Sequence, residues 1–257
     1  MRNCIIYVIM TCIIVCYVFY KMEYFTSIPS LTQSVSLEPC ACMRELPRRN
    51  KSDVLLSDTT CSQQAHARGS GQKVVAFSFY EKDEKNKIAR KKTGDALDNV
   101  GGFFFTGFQI NIDLLPKHYP GWIIRIYHDI EDTDPLIERL CQFSCKYDFV
   151  DLCNTRNIPT TKFVKGDLIP LEEFLKTVSF SESKDIFPMI WRFFPTLDPQ
   201  VDYLISRDLD SRFSARETAA VSEWLESGRA LHAMRDHPWH PVPMLAGGWG
   251  ARLTVAK

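Results

Sequence analysis

The stretch VDYLISRDLDSR, Val201 to Arg212, decides how the rest of the chain is read. Its first half, VDYLIS, is a β-branched and aromatic run that predicts a buried strand. Its second half leaves the strand with two carboxylates, Asp208 and Asp210, flanked by Arg207 and Arg212. Ligands of open α/β sheets sit beyond the carboxyl ends of the strands, so chemistry is expected at this point. Carboxylates at i and i+2 share one face of a continuing strand, and a turn there lets both converge on one hard cation. Mg²⁺ or Mn²⁺ prefers oxygen and commonly takes one or two carboxylates plus substrate phosphates. Such an ion would neutralise a diphosphate leaving group, and Arg207 and Arg212 would add charge-assisted bonds to phosphate. The plainer reading is a solvated turn whose acids and arginines pair with one another.

Working outward, strands and helices alternate. KVVAFSFY (Lys73–Tyr80) predicts a buried strand, and a charged loop follows from Glu81 to about Asp98. FFFTGFQINIDLLPKHYP (Phe103–Pro120) has helical spacing and stops at Pro120-Gly121. WIIRIYHD (Trp122–Asp129) is a second strand, LIERLCQFSCKY behind Asp134-Pro135 a helix, and DFVDL (Asp148–Leu152) a third strand. KDIFPMIWRFFPTLD (Lys184–Asp198) reads as a helix interrupted at Pro188. In SARETAAVSEWLES (Ser214–Ser227), Ser214 and Glu217 have capping-box spacing and Gly228 marks the stop. RALHAM (Arg229–Met234) is the fifth strand. The pattern predicts an α/β fold with a mainly parallel sheet flanked by helices.

Other strand ends carry candidates. Tyr127-His128-Asp129 closes the second strand, where Asp129 would meet a ribose hydroxyl, and Arg125 lies within that strand. His128 alone reads as a packed histidine. The loop MRDHPWH after the fifth strand holds Asp236, His237, Trp239 and His240. An aromatic beside polar groups suits a sugar, although a structured surface loop is the competing reading. GGWG (Gly247–Gly250) permits close backbone approach but lacks the Lys and Ser/Thr of a phosphate loop.

Residues Cys4 to Tyr20, CIIYVIMTCIIVCYVFY, contain no charge, Pro or Gly. A membrane helix needs about 17–25 apolar residues, so this predicts a signal anchor at 4–20 behind a cytoplasmic tail, 1–3. A cleaved signal peptide is the rival, but no Ala-x-Ala site follows. Residues 21–72 mix Ser, Thr, Pro, Gln and charges without a sustained period, and read as a lumenal stem that does not order itself. Asn50-Lys51-Ser52 is a glycosylation sequon. The globular domain then spans 73–257. Beyond the anchor, Cys40, Cys42 and Cys61 lie in the stem and Cys141, Cys145 and Cys153 in the domain. Disulfides are expected in a lumen, with the pairing open. Cys141 and Cys145, four apart in one helix, are poorly placed for each other. No Cys/His set has zinc spacing. The 31 Lys+Arg balance 31 Asp+Glu, which argues against a dedicated nucleic-acid binder.

An anchor, a polar stem, an α/β domain and a strand-terminal Asp-x-Asp together resemble a type II membrane glycosyltransferase of the GT-A fold. VVAFSFY, YPGWIIRIYHD, DYLISRDLDSR, RETAAVSEWLES, MRDHPWH and GGWG are similar to segments of a largely uncharacterised GT-A-like group, over about Lys73 to Arg252. The resemblance implies transfer of a sugar from a nucleotide-sugar donor to a glycan, lipid or protein acceptor, in the Golgi or endoplasmic reticulum. It implies Mn²⁺ or Mg²⁺ on Asp208 and Asp210. Donor contacts would come from Ser78, Tyr80, Arg125, Asp129, Arg207 and Arg212. Asp236 and His237 would be catalytic, and Trp239, Gly248 and Trp249 would line the acceptor or donor pocket. Related chains continue further past this region, so a fragment or an inactive form is also expected. A membrane-anchored pseudoenzyme that binds glycan or nucleotide sugar without turnover is the alternative. A haloacid-dehalogenase-type phosphatase also uses Asp-x-Asp, with the first Asp as nucleophile. Its motif follows the apolar strand directly, whereas Ser206-Arg207 intervene here, and Arg212 replaces the usual Thr or Val.

Overall fold

The computed structural model describes residues 40, 42, 54–80, 102–158, 186–235, 245 and 247–256. Six strands form one sheet: β1 (Gln72–Phe79), β2 (Ile123–His128), β3 (Val150–Asn154), β4 (Val201–Arg207), β5 (Leu231–Ala233) and β6 (Gly248–Arg252). Their spatial order is β3-β2-β1-β4-β6-β5. β1 to β4 are mutually parallel, while β6 runs antiparallel to both β4 and β5. This is the mainly parallel, helix-flanked α/β sheet that the sequence predicts.

Side chains alternate across a strand, and the core divides accordingly. On one face Val75, Phe77, Phe79, Ile124, Ile126 and Ile205 meet the helices α2 (Gly102–His118), α3 (Pro135–Lys146) and α4 (Ala215–Ser227), through Phe108, Ile112, Leu140, Val221 and Trp224. On the other face Val74, Ala76, Tyr127 and Leu204 pack against Trp191, Phe193 and Phe194. These three belong to a 3₁₀ segment, Pro188–Leu197, that replaces the expected interrupted helix. Pro188 starts it and Pro195 lies inside it; a proline in that position withholds an N–H from an α-helical ladder.

Two boundaries move. Residues 54–72 are not an unordered stem. Leu56–Asp58 forms a 3₁₀ turn and Gln63–Ala67 the short helix α1, capped by Ser62. Thr60 and Ala65 are wholly buried. Polar bonds, not an apolar stripe, hold this segment: Arg68 pairs with Asp151 at 2.8 Å and also donates to the Asp148 carbonyl. The Cys61–Cys153 disulfide fastens it further, and Cys40–Cys141 and Cys42–Cys145 tie the chain upstream of it to α3. Cys141 and Cys145 each therefore pair outside their own helix. The second correction concerns GGWG, which is mostly strand rather than loop. Gly248–Arg252 is β6, inserted between β4 and β5. The anchor 4–20, Asn50 and the loop 81–98 lie outside the described residues. Among the described residues no helix is long and apolar enough to cross a membrane.

Candidate functional site

The carboxyl ends of β1, β2 and β4 lie at one edge of the sheet, since Phe79 registers with His128 and Ala76 with Ser206. Asp208 leaves β4 there, and Ser211 N–H closes a turn onto the Asp208 carbonyl at 3.1 Å. Asp208 and Asp210 thus share a turn, as convergence on one cation requires. Asp208 is 45% exposed at its side chain and Asp210 is exposed.

The turn is held from both sides. Asn111 of α2, fully buried, donates to the Ser211 carbonyl at 2.9 Å and accepts from Phe213 N–H at 3.3 Å. Arg212 Nη1 donates back to the Leu209 carbonyl at 2.5 Å. At Gly107 of α2 a Cβ would stand 2.6 Å from that same carbonyl, so the helix approaches the turn only because the side chain is absent. Opposite, a Cβ on Gly247 would lie 1.8 Å from Oδ2 of Asp208. Gly247→Ala will therefore push the Asp208 carboxylate aside. Its strand pairing is untouched, so we expect the melting temperature to stay near that of the parent and cation affinity to drop at least about tenfold. Calorimetric titration with Mn²⁺ beside a thermal melt checks this.

Asp208 has a partner that no local pattern announces. Arg192, in the 3₁₀ segment, is 3% exposed and its Nη1 pairs with Oδ1 of Asp208. The same nitrogen donates to the Arg207 carbonyl at 3.1 Å. Arg192 N–H donates to Ser78 Oγ at 3.0 Å, which commits that hydroxyl as an acceptor. Tyr80, half-buried, meets Trp191 edge-on at 6.2 Å. Asp129 directly follows β2, and its carbonyl accepts from Arg156 Nε.

Several expected ligand contacts are structural instead. Arg125 is fully buried in mid-strand, bonded to Asp198 at 2.7 Å and to Gln72 at 2.9 Å. It forms a core ion pair. Arg207 points to the helical face and pairs with Glu217 of α4 at 2.6 Å. Glu217 also accepts from the Tyr119 hydroxyl at 2.7 Å, so it serves this buried network instead of returning to its helix cap. Trp249 is 2% exposed, stacked on Phe193 at 5.2 Å and 18°, and is core rather than pocket lining. Gly248 pairs with Arg207 across β6 and β4. Asp236, His237, Trp239 and His240 lie outside the described residues.

His128 is a packed histidine, as its lone setting suggested. Burial, with a smaller push from Arg156, drives its pKa down to about 3. Its Nδ1 accepts the Ile130 N–H at 3.2 Å, which fixes the neutral ring. Between about pH 6.5 and 3 the unfolded chain binds a proton that the native state refuses. Stability should therefore fall on acidification through that window, by up to about 1.4 kcal/mol per pH unit. His128→Gln should flatten that limb in urea titrations across pH; an unchanged slope would refute the assignment.

The donor set suits a hard cation. It offers two carboxylates on one pinned turn, and Gly247 leaves Asp208 uncovered by any side chain of its own. Among the described residues no group of three His, Cys, Asp or Glu forms, so water and phosphate oxygens would complete the shell, as is usual for Mg²⁺.

No protein-family model matches the chain, and no curated protein matches it. Among solved structures it is similar to the mannosyltransferase Ktr4p from S. cerevisiae, with 13% sequence identity and a TM-score of 0.30. The match covers 72% of this chain and 44% of that one, so the chain spans less than half the length of that structure.

Proposed function

We propose that the protein transfers a sugar from a nucleotide-diphosphate donor to a glycan, lipid or protein acceptor, with Asp208 and Asp210 holding Mn²⁺ or Mg²⁺. The observation that carries this reading is the Asp-x-Asp turn at the carboxyl end of β4, clamped between Asn111 and Gly107 on one side and Gly247 on the other. A turn fixed by bonds to its backbone holds the two acidic residues beside each other before any ligand arrives. The bound ion would neutralise charge developing on the leaving diphosphate. Asp208 and Asp210 orient the ion, and the Asn111 bonds fix the backbone of the turn that carries them. Arg212, partly exposed beside the turn, would offer a phosphate oxygen a charge-assisted bond. Tyr80 at the end of β1 offers a half-buried ring to the base or sugar.

Three disulfides support a secretory-pathway lumen. Anchoring by residues 4–20 belongs to the same reading, as does catalysis by Asp236 and His237. The test is calorimetric binding of a panel of nucleotide sugars to the full chain, with and without Mn²⁺. Metal-dependent binding that vanishes in Asp208→Asn/Asp210→Asn supports the reading. Binding indifferent to metal and to both substitutions refutes it.

A further inference from the structure

We propose that Arg192 is a positioning residue that competes with the divalent cation for Asp208, so that the cation enters by displacing an internal counter-ion. This rests on reading Asp208 and Asp210 as the cation site.

The two partners of the pair are unequally placed. The Arg192 side chain is 3% exposed, while Asp208 is 45% exposed. Water can solvate Asp208 if the pair opens, but it cannot reach the guanidinium. Among the described residues, Nη1 of Arg192 bonds the Arg207 carbonyl and Asp208, while Nε and Nη2 are buried with no hydrogen-bond partner. A buried guanidinium left short of acceptors is costly. The pull across the pair therefore comes from the arginine. Its backbone is fixed by the bond to Ser78 and its flanks by Trp191 and Phe193, both core residues. It cannot follow Asp208 outward, so a cation must draw the carboxylate from a stationary charge.

Two consequences follow for the same site. A monovalent ion, with no more charge than the guanidinium, gains little by exchange, whereas a divalent ion gains more. Once Asp208 turns to the cation, the buried arginine lacks an anion, and a diphosphate arriving with the metal supplies one. Cation and diphosphate should then bind with mutual reinforcement.

The test uses the full chain titrated with Mn²⁺ alone by calorimetry, comparing the parent with Arg192→Lys, Arg192→Met and Asp208→Asn, each beside a thermal melt. We expect Arg192→Met to bind Mn²⁺ about tenfold more tightly than the parent, Arg192→Lys to fall between them, and Asp208→Asn to lose binding. Equal or weaker affinity in a folded Arg192→Met overturns the competition. Should that variant not fold, the parent decides: the Arg192 Nε–Hε resonance should move in step with Mg²⁺ saturation, and a resonance that stays still while Mg²⁺ binds overturns the proposal. Absence of binding in the parent and every variant instead removes the cation site itself, and this inference with it.

Discussion

Asp198→Ala will destabilise the protein by about 3–5 kcal/mol, because it strands a buried guanidinium. Asp198 is 2% exposed and its carboxylate accepts four hydrogen bonds. Its Oδ2 accepts from Arg125, from the Thr59 hydroxyl and from Thr60 N–H, and its Oδ1 from Gln200 N–H. Burial alone would raise the carboxyl pKa, but Arg125 and these donors outweigh it and hold it below the ordinary carboxylate value. The stabilisation is therefore complete above that ordinary value and is lost as pH falls through the depressed one. Urea unfolding at neutral pH measures the loss, and a deficit under about 1 kcal/mol would contradict the network. Arg125→Met/Asp198→Leu should recover much of it, since an apolar pair of similar volume can replace a buried ion pair.

The second large effect lies at the amino-terminal side of the domain. Cys61→Ala opens a loop whose ends are 92 residues apart, which the chain-entropy account values at about 4–5 kcal/mol. It also leaves Cys153, fully buried, as a lone thiol. We expect the melting temperature to fall by about 10 °C or more. A chain begun at residue 73 goes further. It removes Cys40, Cys42 and Cys61, together with Thr59, Thr60 and Arg68, and exposes Asp151 and Asp198 to the loss of their partners. Such a chain should elute as aggregate in gel filtration. A well-behaved monomer with a cooperative melt would refute the claim that 54–72 is part of the fold.

These two effects show where the sequence was readable. Parallel strands buried on both faces are continuous apolar runs, so β1, β2 and β4 stand out, and α4 carries its own cap at Ser214. β6 does not, because glycine-rich GWGAR has a single bulky side chain and little strand propensity. Arg125 looked like a ligand contact because a charge in an apolar strand suggests a reason to be there. The reason is Asp198, 73 positions on, and nothing local points to it. The Asp-x-Asp was legible as a pair of acids at a strand end. What holds it was not: Arg192 precedes Asp208 by 16 positions on a 3₁₀ segment, and Asn111 acts across 100. Residues 54–72 lacked a period because disulfides and polar bonds order them, and such bonds leave no rhythm in sequence.

The pairing of β1 with β4 joins Val74 to Leu204 and Ala76 to Ser206, across most of the domain's sequence. Contacts that distant form slowly, because closing so long a loop costs entropy before any bond rewards it. During synthesis β1, β2 and β3 can gather as they emerge, but Asp208 cannot take its place until β4 has been made and docked beside β1. Assembly of the acidic turn is thus a late event, and a nascent chain halted before residue 201 would hold much of the core with no cation site at all.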